Sequence, residues 1–305
     1  MSEIQCYSCP RKCGAERGRV GDSGFGGNEG DRRVGFCGVS NKIMISRAAL
    51  HFWEEPCLSG KEGSGTVFFS GCNLKCVYCQ NKDISRAAVG HEVSREELAK
   101  EFLKLQDMGA NNINLVTPSH YYLQIKESLL LVKDELKIPV VANTSSYDDE
   151  EVLKSMEGLI DIYLADFKYI SPELAGKYSK APDYPEVAKK AIEEMFRQVG
   201  GPEFDERGMM KKGIIVRILL LPGHVKEAKE CVRYIWETYG DSVYLSLMNQ
   251  YTPFRIPEEY KELDRKCTKR EYDRLVDFAI GLGITNAFVQ EGDTASESFI
   301  PPFET

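Results

Sequence analysis

The chain has 305 residues, 42% of them hydrophobic and 28% charged, with a formal net charge of -8 and a pI near 5.3. A chain of this size and composition buries enough apolar surface to fold without disulfide staples, so its ten cysteines call for a reason other than stability. The acidic balance, with basic residues scattered among acidic ones as at Asp264-Arg265-Lys266, offers little attraction to a polyanion, and no nucleic-acid partner is expected. Residues 1–10 hold no apolar signal core, and 214–221 is too short and too charged to span a bilayer. The expectation is a cytoplasmic protein without membrane contact, in which closely spaced cysteines serve metal or redox chemistry.

Residues 1–40 read as a small cysteine-rich module, with Cys6, Cys9 and Cys13 spaced x2 and x3 and followed by Cys37. Four thiolates close a tetrahedral zinc site and suit an auxiliary iron–sulfur cluster equally well; the spacing does not choose. The glycine-rich stretch 21–33 reads as a mobile loop rather than a phosphate cradle, because no strand precedes it. Residues 41–65 read as a connecting segment, in which Cys57 is either a ligand or a turn thiol.

From residue 66 onward, short apolar runs at 66–69, 113–116, 139–142, 160–164, 214–221 and 243–248 each read as a buried parallel strand. Helices are predicted over 94–108, 122–136, 150–156, 184–199 and 225–239. In the first of these, Ser94 and Glu97 form a capping box, and Leu98, Phe102 and Leu105 share one face. Six strand-then-helix units with right-handed crossovers predict an α/β fold over 66–250, an open or partial TIM-like (β/α)6 barrel. Residues 251–305 form a C-terminal extension, with a helix over 269–282 and a possible strand at 287–289.

The chemistry is concentrated in Cys72-Asn73-Leu74-Lys75-Cys76-Val77-Tyr78-Cys79, directly after the first predicted strand of the barrel. Three thiolates on one tight loop can ligate three irons of a cubane, and the absence of a fourth cysteine from the loop leaves one iron open to another ligand. The loop falls at a strand's C-terminal end, where α/β barrels carry their reactive groups.

With this motif the chain resembles the radical S-adenosylmethionine superfamily, in particular the pyruvate formate-lyase activating enzyme-like proteins, over most of residues 46–255. The resemblance implies a 4Fe-4S cluster on Cys72, Cys76 and Cys79, with the aromatic Tyr78 beside the last ligand. It also implies S-adenosylmethionine on the open iron, reductively cleaved to a 5′-deoxyadenosyl radical that abstracts hydrogen. An external electron donor such as flavodoxin or ferredoxin follows from the same resemblance, as does a protein or peptide substrate, with a small molecule as the alternative. A non-catalytic iron–sulfur electron carrier is the rival from a different class, but it would not need six barrel units.

The resemblance extends to strand-end residues. Asp166-Phe167-Lys168 resembles an Asp-x-Lys element, with Lys168 toward the cofactor carboxylate and Asp166 near its ribose. Asn143 sits where activating enzymes carry Asp-Thr-Asn. Arg217 resembles an arginine of the family's fifth strand, and, lying amid apolar neighbours, it should face the barrel interior and an acidic partner. The clearest departure is Thr117-Pro118-Ser119-His120, where many members have Gly-Gly-Glu; the Thr117 or Ser119 hydroxyl is a candidate substitute, and His120 is a structural residue or a group near the radical site. The segments 9–14 and 51–57 resemble a subgroup of the activating-enzyme-like proteins. Cys231 is expected in the core and Cys267 on the surface.

Overall fold

The computed structural model describes residues 6–16, 34–87 and 89–290. The glycine-rich stretch 21–33 and the chain end 291–305 therefore lie outside the described residues. Residues 41–65, read from the sequence as a connection, instead form strand β1 (Ile43–His51) and a one-turn helix α1 (Pro56–Ser59) before β2 (Ser64–Phe69). β1 runs antiparallel to β2. After β2 come a short helix α2 (Lys82–Ser85) and strand β3 (His91–Val93), which pairs with the outer edge of β1.

The alternating part follows: α3 (Arg95–Asp107), β4 (Ile113–Val116), α4 (Tyr122–Leu131), β5 (Val140–Thr144), α5 (Glu150–Lys154), β6 (Ile162–Asp166), α6 (Pro172–Ser179), α7 (Tyr184–Val199), the two-residue β7 (Glu203–Phe204), β8 (Met210–Leu219), α8 (Val225–Tyr239) and β9 (Tyr244–Met248). The chain then makes α9 (Lys269–Gly281) and β10 (Ala287–Val289). The spatial order is β10-β9-β8-β6-β5-β4-β2-β1-β3, with β7 on β8. All six predicted strands are present as neighbours in one parallel array, and β10 joins it as a seventh, parallel to β9. The sheet is not closed, so the molecule is a mixed α/β fold with a partial barrel.

The parallel strands from β2 to β9 bury residues on both faces. Tyr163, Ala165, Ile214 and Val216 meet the helices in the large core, while Val141, Ile162, Leu164 and Ile215 form a separate apolar layer with Cys57 and Leu58. α1 thus seats its side chains among the inward-facing residues of the strands. Asn112 fixes it there, donating from Nδ2 to the Leu58 carbonyl at 2.8 Å. Cys57 is a buried thiol of this layer, and burial pushes it up to about 12.

The helix boundaries follow local chemistry. Ser94 and Glu97 make the predicted capping box of α3, whose Leu98, Phe102 and Leu105 are buried. α4 ends at Leu131, five residues before its predicted end, because the chain turns at Val132, where Glu135 N–H bonds back to the Val132 carbonyl. Cys231 is fully buried as expected. Cys267 is not a bare surface thiol: it is half-buried and its Sγ donates to the Leu220 carbonyl at 3.2 Å.

Candidate functional site

β2 ends at Phe69, and Ser70-Gly71 hand the chain to the cysteine loop. Gly71 has φ +87, and a Cβ there would lie 2.7 Å from the Cys37 carbonyl oxygen, so the approach of the N-terminal segment requires glycine. Cys72 N–H donates to that same carbonyl at 3.2 Å, and Val77 N–H to the Tyr178 carbonyl at 2.9 Å. Lys75 turns the loop with φ 56. Cys72, Cys76 and Cys79 all line one cavity of about 260 Å³ at the C-terminal ends of the strands. Burial and the neighbouring Cys76 push the Cys72 thiol up to about 12, and the same two causes raise Cys79. Such thiols hold their protons until a metal replaces them.

Asn143, Asp166, Lys168, Arg217 and Tyr78 line the same cavity. The pairing register explains how: Val116 lies beside Asn143 and Asp166 beside Arg217, so residues two apart on each strand share the interior. Arg217 finds the acidic partners expected of it. Its Nε is 2.7 Å from Asp166 Oδ1, its Nη2 2.6 Å from Asn143 Oδ1, and its Nη1 3.5 Å from Glu54 Oε2. Lys168 Nζ holds the other Asp166 oxygen at 2.6 Å. Burial alone would raise Asp166, but the charges of Arg217 and Lys168 outweigh it and keep the carboxyl below its ordinary range.

Two neighbouring carboxylates escaped the sequence reading. Glu54 follows β1 and accepts from Asn114 Nδ2 at 3.0 Å and Asn143 Nδ2 at 3.3 Å. Burial raises both Glu54 and Glu55, and Arg217 offsets this only in part. Asn114 was legible as a polar residue inside an apolar strand. Glu54 and Glu55 were not, since only the seating of α1 carries them inward.

The substituted turn after β4 keeps an unusual backbone. Thr117 has φ 61, a conformation that is costly for a β-branched residue and natural for glycine. Thr117 lines the cavity, whereas Ser119 is buried and bonds to the Thr144 hydroxyl at 3.3 Å. His120 is fully buried, its Nε2 2.9 Å from the Ser70 carbonyl oxygen, and its ring packs on Tyr121 with centroids 4.3 Å apart. It therefore steadies the strand end that carries the cysteine loop. Tyr78 is buried and its hydroxyl lies 2.7 Å from that of Tyr169.

In the N-terminal segment Cys6, Cys9 and Cys37 are buried and Cys13 is exposed. Among the described residues no group of three or more His, Cys, Asp or Glu side chains is gathered to hold a single metal ion. No helix among them is long and apolar enough to cross a membrane.

Comparison with known proteins bears on the same region. The chain is 28% identical over 283 residues to the uncharacterized protein MJ0674 of Methanocaldococcus jannaschii, covering 90% of this chain and 74% of that protein. It is 31% identical over 132 residues to the pyruvate formate-lyase-activating enzyme of Clostridium pasteurianum, covering 41% of this chain and 54% of that one. Among solved structures, Streptococcus suis SuiB bound to S-adenosylmethionine is similar at 15% identity and a TM-score of 0.49, covering 72% of this chain and 48% of that chain. Methylornithine synthase (PylB) is similar at 16% and 0.46, covering 68% of this chain and 59% of that one. The chain thus spans about half the length of SuiB. Residues 66–235, from β2 into α8, match the family described as the radical SAM superfamily, and the chain belongs to that superfamily, whose members use a 4Fe-4S cluster and S-adenosylmethionine.

Proposed function

We propose that this enzyme cleaves S-adenosylmethionine at a 4Fe-4S cluster held by Cys72, Cys76 and Cys79, and directs the radical at a protein or peptide in the manner of pyruvate formate-lyase activating enzymes. The observation that carries the reading is the convergence of the three thiols with Lys168, Asp166, Asn143 and Arg217 on one cavity. The donor set suits the group: three soft thiolates on one loop, and no further cysteine among the described residues lining that cavity. When bound, the cluster and S-adenosylmethionine supply one-electron cleavage to a 5′-deoxyadenosyl radical.

The chain's own residues supply orientation and exclusion of water. Lys168 and Arg217, each in contact with Asp166, offer cationic donors to a carboxylate. Asn143 offers an amide, and Tyr78 an apolar wall. The partial match to an activating enzyme supports the substrate class, as does the unclosed side of the barrel, which gives a polypeptide a lateral approach. An external donor such as flavodoxin or ferredoxin would supply the electron.

The reading extends to residues 1–40 as a module in which Cys6, Cys9, Cys13 and Cys37 bind zinc or a second cluster, to 66–250 as the catalytic barrel, flanked by β1 and α1 of 41–65, and to 251–305 as a C-terminal extension. Anaerobically reconstituted protein with a reductant should yield 5′-deoxyadenosine and methionine. In Cys76→Ala that product should fall to background; undiminished cleavage would sink the assignment.

A further inference from the structure

A second cavity, of about 540 Å³, opens on the unclosed side of the barrel between the β1–α1 connection and β10. Its lining runs from Trp53, Glu54 and Glu55 to Phe288 and takes in Arg217 and Ser246. Trp53, Glu54, Arg217, Met248 and Gln250 also line the cysteine cavity, so the two spaces share a wall.

Glu54, Glu55 and Asp166 bring three carboxyl groups to the two adjoining cavities, set against two cations, Arg217 and Lys168. Arg217 directs its three nitrogens at Asp166, Asn143 and Glu54. Glu55 is only 8% exposed, and its Oε2 has no hydrogen-bond partner among the described residues. A buried carboxylate oxygen left so is costly unless something completes it. Burial and the adjacent Glu54 accordingly raise Glu55, against the pull of Arg217.

We propose that Glu55, with Glu54 and the Trp53 ring, recognises a cationic group of the substrate, a primary ammonium or a guanidinium, that enters through this side opening. The carboxylates accept charge-assisted hydrogen bonds from such a group, and the aromatic ring attracts its positive charge. Only the description of that ligand as a substrate rests on the radical reading of the neighbouring cavity.

The test uses reconstituted full-length protein and three probes: the blocked amino-acid amides N-acetyl-lysine methylamide, N-acetyl-arginine methylamide and the neutral N-acetyl-norleucine methylamide. Binding is read by calorimetry and tryptophan fluorescence. One of the two cations should bind at least about tenfold tighter than the norleucine compound, which also tells ammonium from guanidinium. Glu55→Gln should remove most of that preference. Equal binding of all three, no binding of any, or an undiminished preference in the folded Glu55→Gln protein would each overturn the proposal. The wild-type comparison stands even if the variant does not fold. Formation of 5′-deoxyadenosine is measured in the same preparation: its absence counts against the radical reading, whereas cleavage without a cation preference counts only against this site.

Discussion

A short chain of hydroxyls ends on the cysteine loop. Ser179 Oγ donates to Cys76 Sγ at 3.0 Å, Tyr169 OH lies 2.8 Å from Ser179 Oγ, and Tyr78 OH lies 2.7 Å from Tyr169 OH. A thiolate only accepts, so with one proton per hydroxyl the donation runs from Tyr78 through Tyr169 and Ser179 to sulfur. Hydrogen bonds to cluster sulfurs favour the reduced state, and losing one worth about 1 kcal/mol corresponds to roughly 40 mV for one electron. Ser179→Ala should therefore lower the reduction potential of the proposed cluster by up to that amount in an EPR-monitored titration. An unchanged potential would show that Ser179 only fills space.

Asp148 gives the pH dependence. It is 2% exposed, and burial pushes it up to about 6 although hydrogen bonds from Ser119 and Thr144 oppose the shift. The folded protein then holds a proton that the unfolded chain has released, so the stability that this group contributes falls as pH rises from about 4 to about 6 and is level above. The contribution is at most about 3 kcal/mol. Asp148→Asn removes this slope, so its melting temperature relative to wild type should rise between those pH values. Parallel curves would refute the assignment.

At the scale of elements, the sequence was most legible where one local rule decides. The Ser94–Glu97 box and the apolar spacing behind it specify α3, and α7 and α8 occur over their predicted residues. β1 was missed because Ser46 and Arg47 interrupt an apolar run that becomes a strand only by pairing with β2 across a register shift. α6 was missed because Gly176 weakens an eight-residue helix that depends on its Ser171 cap and Pro at its start. The site divides the same way. Asp166, Lys168 and Arg217 announce themselves as charges in or beside apolar strands, whereas Glu54 and Glu55 acquire meaning only when α1 turns under the sheet. Ser179 reaches Cys76 across 103 positions, a pairing that no local pattern encodes.

On the scale of the whole molecule, the N-terminal segment is a brace for the cysteine loop. Arg11 Nε donates to the Asn73 carbonyl at 2.7 Å and Nη2 to the Ser179 carbonyl at 3.0 Å, while Nη1 donates to Lys180. Its guanidinium lies 4.1 Å from the centre of the Phe36 ring and 5.1 Å from that of Tyr147. One side chain thus joins residues near the start of the chain to the loop after β2, the end of α6 and the turn after β5. A charged donor of this kind contributes about 2 kcal/mol, and its loss leaves three carbonyls to find other partners. Arg11→Ala should lower the melting temperature by about 3 °C. Because the contact to Asn73 lies between Cys72 and Cys76, the loop should also loosen, and the visible absorbance of the reconstituted cluster should bleach faster under a chelator than in wild type. If the variant melts lower yet bleaches at the wild-type rate, Arg11 stabilises the fold without bracing the ligand loop; if neither changes, the contacts are incidental.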